Sequence, residues 1–170
     1  MSDLQIITNT GGTAAIDEAA LAGFKASMHG SLLTAQDASY DEVRQLWNGM
    51  HNKRPALIAR CTGVADVQAA VNFSRTHSLL VAVRGGGHNV SGSGSNDGGL
   101  MIDLSLMKGV HVDAKARIAR VQPGCTLGEM DRETQVFGLA TPGGNVSTTG
   151  VAGLTLGGGM GHLRRKHASP

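Results

Sequence analysis

Leu79-Leu80-Val81-Ala82-Val83-Arg84-Gly85-Gly86-Gly87-His88-Asn89-Val90-Ser91-Gly92 is the stretch on which the fold turns. Residues 79–83 make a continuous apolar run, the pattern of a buried strand. Three glycines follow at once. Without Cβ atoms the backbone can come close to a ligand and take positive φ. Successive free N–H groups in such a turn form a concave anion site suited to phosphate or pyrophosphate. Arg84 can add positive charge and His88 a nucleophilic nitrogen. A plain glycine-rich surface loop is the alternative. The histidine directly after the glycines, and a second glycine-rich stretch downstream, speak against it.

Upstream, residues 56–59 read as a short apolar strand. Residues 66–77 read as a helix with Val67, Ala70, Val71 and Ser74 on one face. Strand, helix and strand make a βαβ crossover, which implies parallel pairing. Ligands gather at the carboxyl ends of strands in such sheets, and residues 85–88 fall there. Nearer the start, residues 1–12 look like a mobile lead and residues 16–28 like a helix, with Asp17 and Glu18 suited to its positive end. Residues 34–41 form a polar connector. Trp47, the single tryptophan, is expected to be a packing anchor rather than a cofactor contact.

Downstream, residues 100–104 form another apolar strand. Asp103 near its end is expected to bond loop backbone rather than do acid–base work. Val110-His111-Val112 and Ile118-Ala119-Arg120-Val121 pair around the turn Asp113-Ala114-Lys115. Thr126-Leu127-Gly128-Glu129 is a capping box, with Thr126 as N-cap. That helix runs to about Phe137, with Gly138 as C-cap, and residues 139–141 are extended. The second glycine-rich stretch, residues 142–162, groups Ser147, Thr148 and Thr149 with Gly143, Gly144, Gly150, Gly153 and further glycines. Hydroxyls and bare backbone suit a polar, planar ligand, although the same residues also make plain turns. The fold class is α+β, with a small parallel βαβ lobe and a mixed, antiparallel second lobe. Residues 1–50 form the lead and helical segment, and residues 51–170 the main domain.

Composition narrows the function. Of the 170 residues 41% are hydrophobic and 16% charged, enough for one domain with a core. The 25 glycines fit a loop-rich ligand site better than a helical bundle. A net charge of +2 and 3% aromatics give little for nucleic acid. The start shows no basic segment leading into an apolar one, and no apolar run approaches a membrane span. A cytoplasmic protein with neither nucleic-acid nor membrane partner is expected. Cys61 and Cys125 read as reduced, buried thiols, although a helix start beside Cys125 could lower its pKa. His111, His162 and His167 make no metal pattern, so no metal is expected. Neither Gly-x4-Gly-Lys-Ser/Thr nor Gly-x-Gly-x-x-Gly occurs, which disfavours P-loop and Rossmann sites.

Taken with Asp37-Ala38-Ser39-Tyr40-Asp41, Trp47-Asn48, Arg54-Pro55, the run 99–105 and the run 148–159, the glycine-triplet histidine resembles the berberine-bridge-enzyme-like FAD-linked oxidases. These carry an FAD-binding domain of the p-cresol methylhydroxylase type, within the vanillyl-alcohol oxidase superfamily. The resemblance covers nearly the whole chain, to about Lys166. It implies a pyrophosphate loop formed by Arg84, Gly85, Gly86, Gly87, His88, Asn89 and Gly92. It implies a second wall formed by Ser147, Thr148, Gly150 and Gly153. It further implies FAD joined through its 8α-carbon to His88, a bond that raises the reduction potential. A second, cysteine link known in some members would fall at Val146, where valine cannot make it. The family's chains continue past the point matching Pro170 into more of the flavin domain, a substrate domain and the catalytic base. This sequence is thus expected to be C-terminally incomplete, with substrate, base and oligomeric state unreadable. Two readings stay open: an FAD-dependent oxidoreductase module taking hydride from a C–H or alcohol-type substrate with oxygen as acceptor, and a truncated remnant that binds FAD weakly or needs a partner chain. A flavin reductase on the same fold is disfavoured by the histidine.

Overall fold

The computed structural model describes residues 3–167. The chain opens with an antiparallel hairpin, β1 (Leu4–Ile7) and β2 (Thr13–Ile16), in register Leu4 with Ile16. Of the stretch read as a mobile lead, residues 3–12 are the described part, and they are ordered. Ile6 and Ile16 are completely or almost completely buried, and each such side chain contributes roughly 1.5–3 kcal/mol on leaving water. The lead escaped the sequence reading because its strands are short and its core partners lie far along the chain. Helix α1 (Glu18–Ala26) starts where Asp17 accepts from the Ala20 N–H, so Ile16 belongs to the strand before it.

A short strand β3 (Ser31–Leu33) and a single-turn helix α2 (Tyr40–Val43) flank the expected polar connector. Next come β4 (Leu57–Arg60), α3 (Val64–Thr76), β5 (Val81–Arg84) and β6 (Leu100–Asp103). The main sheet has the order β3-β4-β6-β5. The crossover strands β4 and β5 are parallel, as expected, but they are not neighbours, because β6 inserts between them and pairs in parallel with both. Its sequence explains this choice. All four residues of Leu100-Met101-Ile102-Asp103 are buried, and a strand buried on both faces belongs in the centre of a sheet.

Alternate residues feed two cores. Leu57, Ala59, Leu100 and Ile102 pack with Ile6, Ile16 and Phe24 on one face. Ile58 and Met101 pack with Leu33, Tyr40 and Val43 on the other. The buried stripe of α3 is Asp66, Ala70 and Ser74, whereas Val71 is 48% exposed. Its inward face is thus rotated from the expected one. Asp66 tolerates burial because Thr62, His29 and Gly30 N–H groups and the Thr62 hydroxyl all donate to its carboxylate.

The second lobe follows. β7 (Val110–Asp113) and β8 (Ile118–Val121) form the expected hairpin. α4 (Leu127–Gln135) carries the complete Thr126–Glu129 capping box, reinforced by Lys108 on Glu129 at 2.7 Å. Within the second glycine stretch lies a helix that the glycine content concealed, α5 (Val151–Gly157), and α6 (Arg164–His167) follows it. The described residues hold no helix long and apolar enough to cross a membrane.

Candidate cofactor site

β5 ends in Arg84, and the side chain that would have supplied free charge turns inward. Arg84 is 9% exposed. Its Nε and one terminal nitrogen meet the Asp103 carboxylate at 3.0 and 2.8 Å. Its other terminal nitrogen donates to the carbonyls of Val43 and Gln45. Asp103 is fully buried and also accepts from Arg60 at 3.4 Å and from the Ser105 N–H and hydroxyl. A buried ion pair this well satisfied fixes geometry. Arg84 therefore braces the glycine loop from behind, and its charge is spent on Asp103. Asp103 does accept from loop backbone, as expected; the arginine pair was not legible.

Beyond Arg84 the chain runs across the mouth of a cleft of about 340 Å³, within the usual range of ligand pockets. One wall is residues 83–89 with Ser93 and Gly94; the other is Thr149, Gly150, Gly153 and Leu154. The walls touch at Gly86, where a Cβ would lie 2.5 Å from the Gly150 Cα. Neither position has room for a side chain. Gly87 has φ +70°, which favours glycine. The N–H groups of Gly85, Gly86, Gly87 and His88 donate to no protein acceptor among the described residues. Main-chain donors at a cleft, left without partners, are what an oxyanion ligand requires. The residues present thus fit the phosphate portion of a dinucleotide by backbone donors, without a free side-chain cation.

His88 closes the loop, partly buried. Its Nε2 meets the Thr148 hydroxyl at 3.2 Å, a bond that joins the two walls. Its ring stacks on Trp47, with centroids 4.7 Å apart and planes at 20°. Trp47 is 67% exposed, so it is not the buried packing anchor that the sequence suggested. Asn89 turns to its own backbone and accepts from the Ser91 N–H at 2.9 Å. Gly92 lies outside the lining, buried against the His51 ring. Ser147 also lies outside it, and its carbonyl accepts from Gly128 N–H. The sequence reading did not place Val83, Ser93, Gly94 and Leu154 at the site, named Thr149 among the hydroxyls of the second stretch without choosing it, and missed Trp47, which stacks on His88. The clustering of hydroxyls and glycines around 148–153 was the available signal for Thr149.

Both thiols are buried and unpaired. Burial, with Asp66 and Asp103 nearby, pushes Cys61 up to about 12. Burial likewise raises Cys125, so the start of α4 does not activate it. No group of three potential metal ligands occurs among the described residues.

The geometry has its counterpart in known proteins. A family model described as an FAD binding domain matches residues 55–169. (R)-6-hydroxynicotine oxidase of Paenarthrobacter nicotinovorans is 38% identical over 141 residues, covering 83% of this chain and 31% of that enzyme. An FAD-linked oxidoreductase of Dictyostelium discoideum is 42% identical over 143 residues, covering 84% of this chain and 31% of that protein. The solved structure of a berberine-bridge-enzyme-like protein of Physcomitrella patens superposes with a TM-score of 0.81 at 30% identity, covering 88% of this chain and 33% of that one. The chain spans about a third of these relatives' length. With a brace behind the glycine loop, unpaired donors along it and these matches over most of its length, the chain belongs to the FAD-binding-domain family of berberine-bridge-enzyme-like FAD-linked oxidoreductases.

Proposed function

We propose that the chain forms the FAD-holding part of an FAD-linked oxidase, with the cofactor tethered through His88. The observation that carries the reading is that residues 85–88, whose N–H groups have no protein acceptor among the described residues, line one cleft and end at an imidazole. FAD, when bound, would supply the two-electron redox chemistry for oxidising a C–H or alcohol-type substrate carbon, with oxygen as the favoured acceptor. The chain's residues supply position. The N–H groups of Gly85, Gly86 and Gly87 bind the diphosphate; Asn89 and Gly92 hold the loop's far end; Arg84 fixes its near end through Asp103. Gly150 and Gly153 keep the opposite wall low enough for a planar ring, with Thr148 beside it at His88 and Ser147 further out, its carbonyl holding the wall to Gly128. The Thr148 bond to His88 Nε2 leaves Nδ1 as the nitrogen without a protein partner among the described residues. Val146 offers no thiol, so a single tether is the reading.

The substrate is a small molecule with an oxidisable C–H or alcohol-type carbon; a relative named for 6-hydroxynicotine oxidation supports that class. A cytoplasmic setting without nucleic acid or membrane completes the proposal; the net charge of +2 supports only the absence of a nucleic-acid partner. One observation favours the second reading, a module that needs another chain segment to cover it: Leu156 and Met160 are 90% and 68% exposed.

The test is the intact mass and visible spectrum of the protein after denaturation and removal of free flavin. A mass increased by one FAD, with yellow absorbance that His88→Ala abolishes, is expected. Folded protein without flavin after expression with ample FAD would refute the tether and favour the second reading.

A further inference from the structure

Trp47 is largely in solvent, so burial gives it little reason to hold one position. Its surroundings do. The Trp47 N–H donates to the Gly87 carbonyl at 3.3 Å. Two residues and four residues earlier, the carbonyls of Gln45 and Val43 accept from the buried Arg84 guanidinium. The segment that carries the indole is therefore tied at three backbone points to the loop that carries His88. The indole face then lies on the imidazole. Thr148 approaches the same ring through Nε2, but it sits exposed on the opposite wall. A hydrogen bond holds one ring atom, whereas a flat stack holds the plane. The two together determine the imidazole orientation and leave Nδ1 open.

We propose that Trp47 is the positioning residue for His88: the indole, carried on the Arg84-tethered segment, sets the imidazole plane so that Nδ1 is presented to the cleft. The consequence for cofactor attachment rests on the reading of His88 as the FAD tether; the ordering of the ring does not. The main-chain bond from Trp47 to Gly87 does not depend on the side chain, so what the indole itself adds is the stack on the His88 ring.

The experiment compares the 170-residue chain with its Trp47→Leu and Trp47→Phe variants. Leu keeps an apolar side chain without a ring, and at an exposed position it opens no core cavity. The first readout is the NMR signal of the His88 ring protons, assigned by its loss in His88→Ala. The indole ring current should hold these protons upfield; Trp47→Leu should abolish the displacement and Trp47→Phe should retain part of it. The second readout is the rate at which FAD becomes resistant to removal by denaturant. Because misplacement of a reacting group by about 1 Å can cost roughly a hundredfold, Trp47→Leu should slow this at least about tenfold and Trp47→Phe by no more than about threefold. His88 signals unchanged in Trp47→Leu would overturn the proposal. So would attachment at the wild-type rate once the stack is lost. If wild type retains no FAD, the tether reading fails and the consequence for attachment with it, while the ring-proton comparison still decides whether Trp47 orders His88.

Discussion

In the first glycine wall of the cleft, Arg84 reaches back from β5 to Asp103 on β6, and residues 94–96 further along are buried. In the second, residues 142–161, only Gly150 is buried, and α5 carries no buried residue at all. That wall is held by main-chain bonds at one place, from Leu127 and Gly128 N–H to Thr149 and Ser147 carbonyls and from Val151 N–H to the Cys125 carbonyl. The two walls share a composition but not a construction. Glycine allows close approach in both. The first wall carries a buried ion pair of its own, whereas the second leans on Leu127 of α4 and on the half-buried Leu154 beside Gly143, Gly144 and Gly159. The cleft thus has one fixed face and one adjustable face, and the Gly86–Gly150 contact and the His88–Thr148 bond join them.

The strongest way to break this contrast is Arg84→Met, which removes the brace and leaves the buried Asp103 carboxylate short of its main partner. A loss of about 3–5 kcal/mol in unfolding free energy is expected from urea titration. A loss below about 1 kcal/mol would show that the brace is not what separates the walls. Next is acid. Burial alone would raise the Asp66 carboxyl, but the donors from Thr62, His29 and Gly30 outweigh it and hold it below the usual carboxylate range. A depressed folded value means the contribution is complete above the unfolded value near 3.9 and fades as pH falls through the folded one. Asp66→Asn should cost about 2–3 kcal/mol at pH 7, and the gap from wild type should close below about pH 4. On the second-wall side, burial opposes and the Lys108 and Thr126 bonds more than offset it to lower Glu129. Its side chain is 43% exposed, so Glu129→Gln should cost less than about 1 kcal/mol.

Gly86→Ala tests the joint itself. The added methyl must push the walls apart, for about 1–3 kcal/mol. Gly150→Ala should cause the same separation, so the double variant should lose less than the sum. Strict additivity would mean the two positions do not act through one contact. Thiol labelling then compares local opening without mutation. Cys61 follows β4, and Cys125 lies at the root of the second wall. If that wall opens more readily, Cys125 should label at least about tenfold faster than Cys61 under native conditions, a difference of about 1.4 kcal/mol in opening. Equal rates would place both thiols in one cooperative unit. Gly153→Ala, where a Cβ meets nothing within 4 Å, carries the opposite sign. Replacing a mid-helix glycine should stabilise α5 by about 0.5–1 kcal/mol, read as a raised urea midpoint.

The two walls were also unequally legible. The loop at 85–88, the capping box and the β7–β8 hairpin were read from sequence because each signal spans only a few residues. Helix α5 was concealed because Val151-Ala152-Gly153-Leu154-Thr155-Leu156-Gly157 carries two glycines and two β-branched residues among its seven, and its N-cap, Gly150, has no side chain to signal a start. The β1–β2 hairpin was missed for a related reason. Ile6 and Ile16 become core residues only when Leu57 and Leu100 are brought to them.

By itself the sequence determined that a strand feeds a glycine triplet and a histidine, that helices alternate with strands before it, and that a second glycine-rich wall exists. Neighbouring residues and the backbone's own preferences are enough for such features. Only the tertiary structure decided that Arg84 braces rather than binds, that β6 divides the crossover, that Trp47 lies on His88, and that His88 meets Thr148 across 60 residues. Those outcomes depend on which distant groups share a buried volume. A charge taken out of water goes to the partner that the fold places beside it, and for Arg84 that partner is Asp103.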